Sequence, residues 1–151
     1  MDRSEQTKKN QAINLYTWGL ELLSDGGHVR DADKVGWMLI ENAATQGDRD
    51  AQNYLGDAYF YSYKKDEKAV FWYTKAAEQG LPEAQAMLGM LYLLGRGVTR
   101  NYAKARHYFE QALQACRAVN STSKPPWPNI GWARCIKKAS ASRKTAKKAK
   151  N

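Results

Sequence analysis

Ala51-Gln52-Asn53-Tyr54-Leu55-Gly56-Asp57-Ala58-Tyr59 returns 33 positions later as Ala84-Gln85-Ala86-Met87-Leu88-Gly89-Met90-Leu91-Tyr92. The two stretches agree at Ala, Gln, Leu, Gly and Tyr. Each is followed by a second matching block, Lys68-Ala69-x-x-Trp72-Tyr73 and Lys104-Ala105-x-x-Tyr108-Phe109. Ala43-Ala44-x-x-Gly47 precedes the first copy, and Ala76-Ala77-x-x-Gly80 precedes the second. A repeat of this length is one supersecondary unit that cannot bury its apolar face alone, so units must stack. Stacked units make a binding surface and carry no reaction by themselves.

Working outward, a degenerate copy is visible upstream. Ile13, Tyr16, Leu20 and Leu23 fall three or four apart and share a helix face. Trp18-Gly19 is a degenerate Leu-Gly pair. Trp37, Leu39, Ile40, Ala43 and Ala44 form a second helix before Gly47 stops it. The punctuation agrees with helices. Ser24-Asp25-Gly26-Gly27 supplies a C-terminal stop, Pro82 sits in a first turn, and Asp33, Asp50, Asp66 and Asn101 are the expected N-caps. The small Ala-Ala and Leu-Gly pairs mark helix crossings. The aromatics Tyr59, Trp72, Tyr73, Tyr92, Tyr108 and Phe109 are expected to fill the wedges between them as core.

These residues resemble the Sel-one-like repeat, a relative of the tetratricopeptide repeat. That signature runs Ala-Gln-x-x-Leu-Gly-x-x-Tyr, then Gly-x-Gly-Val, then Lys-Ala-x-x-Trp-Tyr-x-x-Ala-Ala. The third pair keeps it, including Gly95-Arg96-Gly97-Val98. The second pair has Ser62-Tyr63-Lys64-Lys65 in place of the glycine turn and is three residues shorter there. The first keeps Gly19, Ala43-Ala44 and Gly47. The resemblance implies an all-α fold, a short right-handed α/α solenoid of three helix pairs with a C-terminal capping segment and a disordered basic tail. The expected layout is a flexible N-terminus at 1–10 and helix pairs at about 11–47, 48–80 and 81–118. A Pro-rich connector with a short capping helix follows at 119–138, and a disordered basic tail at 139–151. Trp127, Ile130 and Trp132 are expected to cover the last pair, since a solenoid end exposes an apolar face.

Chemistry is sparse. His28 lies in a Gly-rich turn and His107 on the solvent side of the last repeat helix. Cys116 and Cys135 match no metal or redox spacing and read as two reduced thiols of a cytosolic protein. His107 and Cys116 lie nine residues apart on one helix, about 13 Å of rise, too far for a nucleophile and its base. No catalytic residue, metal or cofactor is expected. No window approaches the roughly 20 apolar residues of a membrane span. The expectation is a cytoplasmic protein without membrane attachment.

Binding has two candidate regions. In tetratricopeptide relatives, positions around the Leu-Gly pair contact the ligand. The resemblance carries that role to Tyr16, Leu20, Asn53, Asp57, Phe60, Tyr61, Met90 and Leu93. Phe60, Tyr61, Met90 and Leu93 would form an apolar strip with a polar rim, suited to a peptide or protein loop. The charge distribution gives the second region. The net charge is +9, yet residues 1–110 carry 14 Lys/Arg against 15 Asp/Glu, while residues 111–151 carry 10 Lys/Arg and no acid. Arg134, Lys137, Lys138, Arg143, Lys144, Lys147, Lys148 and Lys150 concentrate eight positive charges in an arm. Arg96, Arg100, Lys104 and Arg106 would extend that patch onto the folded body. The main expectation is a protein-interaction module, monomeric or weakly dimeric. Short bacterial members of the resembling family also resemble cytosolic immunity proteins that neutralise a toxin made by a neighbouring gene. The alternative is a nucleic-acid-associated factor anchored by the arm.

Overall fold

Helices follow one another without interruption by any strand among the described residues, which in this computed structural model are 3–24 and 32–119. They are α1 (Arg3–Ser24), α2 (Ala32–Thr45), α3 (Arg49–Asp57), α4 (Asp66–Glu78), α5 (Pro82–Leu94) and α6 (Tyr102–Val119). Each packs on its neighbours in sequence, so the chain forms three helix pairs, α1–α2, α3–α4 and α5–α6, stacked into a short all-α solenoid. The stop at Gly26-Gly27, the connector, the capping segment and the basic tail lie outside the described residues.

The Leu-Gly pair exists to admit a partner side chain against the backbone. A Cβ on Gly56 would sit 2.6 Å from the Tyr73 ring, and one on Gly89 would sit 2.9 Å from the Phe109 ring. The first pair keeps this contact in altered form. A Cβ on Gly19 would lie 2.6 Å from Ile40 Cγ1 and 2.8 Å from the Gly36 carbonyl oxygen. Ile40, Tyr73 and Phe109 therefore occupy one register, as do Gly36, Ala69 and Ala105. Tyr73 and Ile40 are fully buried, and Phe109 is nearly so. Tyr59, Trp72, Tyr92 and Tyr108 fill the wedges half-buried, with Tyr92 and Tyr108 stacked at 5.7 Å. Two clusters result, one around Ile40, Ala43, Ala51 and Leu55, the other around Tyr73, Ala76, Leu88 and Leu91.

The Ala-Gln pair ties one unit to the next. Gln52 Nε2 donates to the Ala44 carbonyl at 2.9 Å, and Gln85 Nε2 donates to the Ala77 carbonyl at 3.2 Å, so each glutamine satisfies a helix-end acceptor. Gln79 completes the first of these knots, donating to Gly47 O at 2.9 Å and Gln52 Oε1 at 2.8 Å. The register puts Ala115 where Gln79 stands in the preceding unit. Gln85 Oε1 is accordingly buried without a donor among the described residues.

The turns inside the pairs differ as the sequences do. The shorter turn of the second pair continues α3 into a π-helical turn, Ala58–Ser62, and then turns on Lys64 at φ +53°. The third pair uses Gly95 and Gly97, both at φ +69°, the left-handed region glycine tolerates. This second turn also clamps the array. A Cβ on Gly97 would meet the backbone of Asp66 at 2.5 Å, so the turn lies directly on the start of α4. Arg96 grips the Asp66 carboxylate through Nε at 2.9 Å and Nη2 at 2.8 Å, and its guanidinium covers the Phe60 ring at 4.3 Å.

Several local expectations need correcting. Residues 3–10 are helical, because they are polar helix formers with no Gly or Pro to stop α1. Asp48 caps α3, accepting from Ala51 N at 2.7 Å, and Asp50 stands in the first turn. Asp66 opens α4 with its carboxylate committed to Arg96, and no side chain caps that helix. Asp33 lies in the first turn of α2. Asn101 does cap α6, accepting from Lys104 N at 3.0 Å, and Pro82 opens α5 as expected.

Candidate binding cleft on the inner helices

The first helices of the three pairs converge on one hollow. Tyr16 of α1, Asp50, Asn53, Tyr54 and Asp57 of α3, and Leu81 and Glu83 at the start of α5 line a cleft of about 210 Å³. The repeat period explains the convergence. Asp50 and Glu83 are the same position one repeat apart, each just before an Ala-Gln pair. Asn53 and Asp57 lie on the α3 face left open when Leu55 and Gly56 turn inward.

Three carboxylates line this cleft, and among the described residues no lysine or arginine does. The ion pairs Arg96–Asp66 and Arg106–Glu110 lie elsewhere. Asp57 accepts a 2.6 Å hydrogen bond from the Tyr73 hydroxyl. Burial pushes the Asp57 carboxyl up, and the Tyr73 bond opposes that rise only in part. The same burial, together with Asp57, raises the Tyr73 phenol well above its ordinary range. The Tyr16 phenol is pushed up to about 12, first by burial and then by the negative field of Asp50 and Asp48. Tyr16 meets Tyr54 edge-on at 6.3 Å, which fixes the cleft wall. Asn53 Oδ1 is buried with no donor among the described residues. An adjoining hollow of about 330 Å³ shares Asp50 but also holds Lys9 and Arg49. Asp57 and Glu83 do not line that second hollow.

The eight positions expected in a groove separate into different settings. Tyr16, Asn53 and Asp57 meet in the cleft. Leu20 packs half-buried against the Ile40 cluster, and Met90 against the Tyr73 cluster. Leu93 is half-buried. Phe60 is core, 6% exposed beneath Arg96, so no open strip runs from it to Leu93. Tyr61 stands exposed beside it, edge-on at 4.8 Å. Sequence reasoning did not place Asp50, Tyr54, Leu81 or Glu83 here. The available signal was the acid repeated ahead of both Ala-Gln pairs, which reads equally well as helix capping. On the body, Arg96 and Arg106 are engaged by Asp66 and Glu110, which leaves Arg100 and Lys104 of the expected patch without ion pairs among the described residues. The arm from Arg134 to Lys150 lies outside the described residues.

Among the described residues no group of His, Cys, Asp and Glu could hold a metal ion, and no helix is long and apolar enough to cross a membrane. His107 is exposed on α6. His28 and Cys135 fall outside the described residues, as does the side chain of Cys116.

Paired helices with a glycine-aromatic crossing, a glutamine tie and an inner cleft define an α/α repeat solenoid. Residues 49–81 and 82–115 match the family model of the Sel1 repeat, so these two units are Sel1-like repeats. It is 35% identical over 88 residues to the "ERAD-associated E3 ubiquitin-protein ligase component HRD3B" of Arabidopsis thaliana, a match covering 55% of this chain and 13% of that protein. It is 38% identical over 87 residues to the "Chitin synthase regulator SKT5" of Saccharomyces cerevisiae, covering 52% of this chain and 12% of that protein. A crystal structure of a Sel1 repeat protein from Oxalobacter formigenes superposes with a TM-score of 0.61 at 33% identity, over 69% of this chain and 31% of that one. The chain thus spans a small part of each relative's length.

Proposed function

We infer that this chain is a non-enzymatic protein-interaction module whose inner helices receive a peptide or loop of a protein partner. The observation that carries the reading is the convergence of α1, α3 and α5 on one cleft lined by three carboxylates and, among the described residues, by no lysine or arginine. Asp50 and Glu83 stand exposed and Asp57 half-buried, so the cleft presents negative charge that favours encounter with a cationic partner. The relatives' names support the same reading, since one is a component of a ligase and the other a regulator of a synthase. The partner chemistry favoured is basic.

The test is affinity capture by the tagged full chain from nuclease-treated native lysate, beside a chain carrying Asp50→Lys and Glu83→Lys. A stoichiometric protein held by the first and lost several-fold by the second is expected. Equal capture by both overturns the cleft as the contact face. The narrower reading, a cytoplasmic immunity protein against a bacterial toxin, requires that co-expression protect cells from the product of a neighbouring gene. The alternative of nucleic-acid association rests on the basic arm alone and requires salt-steep binding that disappears when the arm's lysines are neutralised.

A further inference from the structure

We propose that the acidic cleft between α1, α3 and α5 is the docking site of the chain's own basic arm, residues 134–150, bound in cis. A partner would then have to displace the arm to enter. The proposal deepens the reading of the cleft as the contact face and rests on it only for the displacement.

Charge complementarity is the first argument. The cleft gathers Asp50, Asp57 and Glu83. Each can take an N–H of an ammonium or guanidinium group. The hollow of about 210 Å³ is open enough to admit an extended cationic side chain alongside the rings of Tyr16 and Tyr54. The arm brings eight such groups, and residues 111–151 contain no acid to pair with them locally.

Topology is the second argument. Gly89 touches Phe109, Tyr92 stacks on Tyr108, and the turn between the helices is short, so α5 and α6 run antiparallel. The end of α6 at Val119 therefore lies at the same end of the pair as the start of α5, where Glu83 stands. Asp50 occupies the corresponding position on α3. Adjacent helices pack about 8–10 Å apart, so the cleft is within roughly 20 Å sideways of α6. The fifteen residues from Val119 to Arg134 reach up to about 50 Å when extended. A tether of that length holds the arm at an effective concentration of about millimolar, enough for individually weak ion pairs to act together.

Zero-length carbodiimide coupling of the full chain tests this directly. Uniformly labelled and unlabelled chains are mixed, coupled at low and at high salt, and digested for mass spectrometry. The expected result is Lys137, Lys138, Lys144, Lys147, Lys148 or Lys150 joined to Asp50, Asp57 or Glu83 within one chain. The yield should exceed that at Glu21, Glu67 and Glu110 several-fold and should collapse at high salt. Joint replacement by Asp50→Asn and Glu83→Gln, with helicity checked by circular dichroism, should remove the preference. Coupling spread evenly over the body's carboxylates, coupling between labelled and unlabelled chains, or no arm coupling at all overturns the proposal. If coupling fails while partner capture still depends on Asp50 and Glu83, the contact face stands and only the arm's occupancy falls.

Discussion

Replacing Gly97 by alanine should cost far more than replacing Gly80, although both have a left-handed backbone, φ +69° and φ +80°. The conformational penalty for a Cβ is common to both, about 1–2 kcal/mol. Around Gly80 nothing among the described residues lies within 4 Å, so that penalty is the whole effect. At Gly97 the new Cβ would lie 2.5 Å from the Asp66 carbonyl carbon, 2.6 Å from its oxygen and 2.8 Å from Glu67 N. All three are backbone atoms at the start of α4, and no side-chain rotation relieves them. The turn must lift away, which strains the Arg96–Asp66 contact and adds an overpacking penalty of about 1–3 kcal/mol. The expected loss is about 2–5 kcal/mol for Gly97→Ala against about 1–2 for Gly80→Ala. With a urea slope of about 2 kcal/mol/M, the two midpoints should differ by about 1 M. Urea titration followed by far-ultraviolet circular dichroism reads this difference. Equal midpoints would refute the idea that this turn is pressed onto α4.

Ala115→Gln should stabilise by about 1 kcal/mol, because its amide can donate to the orphaned Gln85 Oε1 as Gln79 does to Gln52; an unchanged midpoint would show that the register is wrong. Lys64→Gly should gain up to about 1 kcal/mol by relieving a left-handed lysine at φ +53°, read as a higher thermal midpoint; a lower midpoint would mean the lysine side chain contributes more than its backbone costs. Asp57→Asn should flatten the acid side of the stability profile. Burial raises the Asp57 pKa in the folded chain, so folding binds protons and this residue's contribution improves as pH falls from neutral through the raised value towards about 4. Asparagine keeps an acceptor for the Tyr73 hydroxyl and loses that slope; identical profiles for the two chains would contradict it.

The solenoid was legible because Leu-Gly, Ala-Gln and the aromatic pairs recur with a period set by packing, and Gly56 on Tyr73 and Gly89 on Phe109 show that packing. The first pair was harder to see, since Ile40 replaces the aromatic and Gly36 the alanine while the same contact survives. Caps misled for a specific reason. Asp48, Asp50 and Asp66 are all acids near helix starts, and only geometry shows which one folds back on a backbone amide. The cleft was half legible. Asn53 and Asp57 follow from the Leu-Gly register, but Phe60 follows from it too, and the π turn rotates Phe60 inward under Arg96. Periodicity counts residues along a regular helix and cannot anticipate a widened turn.

The contact of Gly95-Arg96-Gly97 with α4 changes where the array can come apart. By sequence the seam falls at Gly80-Leu81, between units. Mechanically, α4 is held at its far end by its own glutamine knot through Gln79 and at its near end by a loop belonging to the following unit. Neighbouring units in such arrays are coupled by interface energy, and the ratio of that coupling to the stability of a single unit decides whether ends fray one at a time. The grip of Gly95-Arg96-Gly97 on the start of α4 makes the coupling between the middle and last pairs large. The middle and last pairs should melt as one block, and a chain severed at Gly80 would leave α4 without its latch.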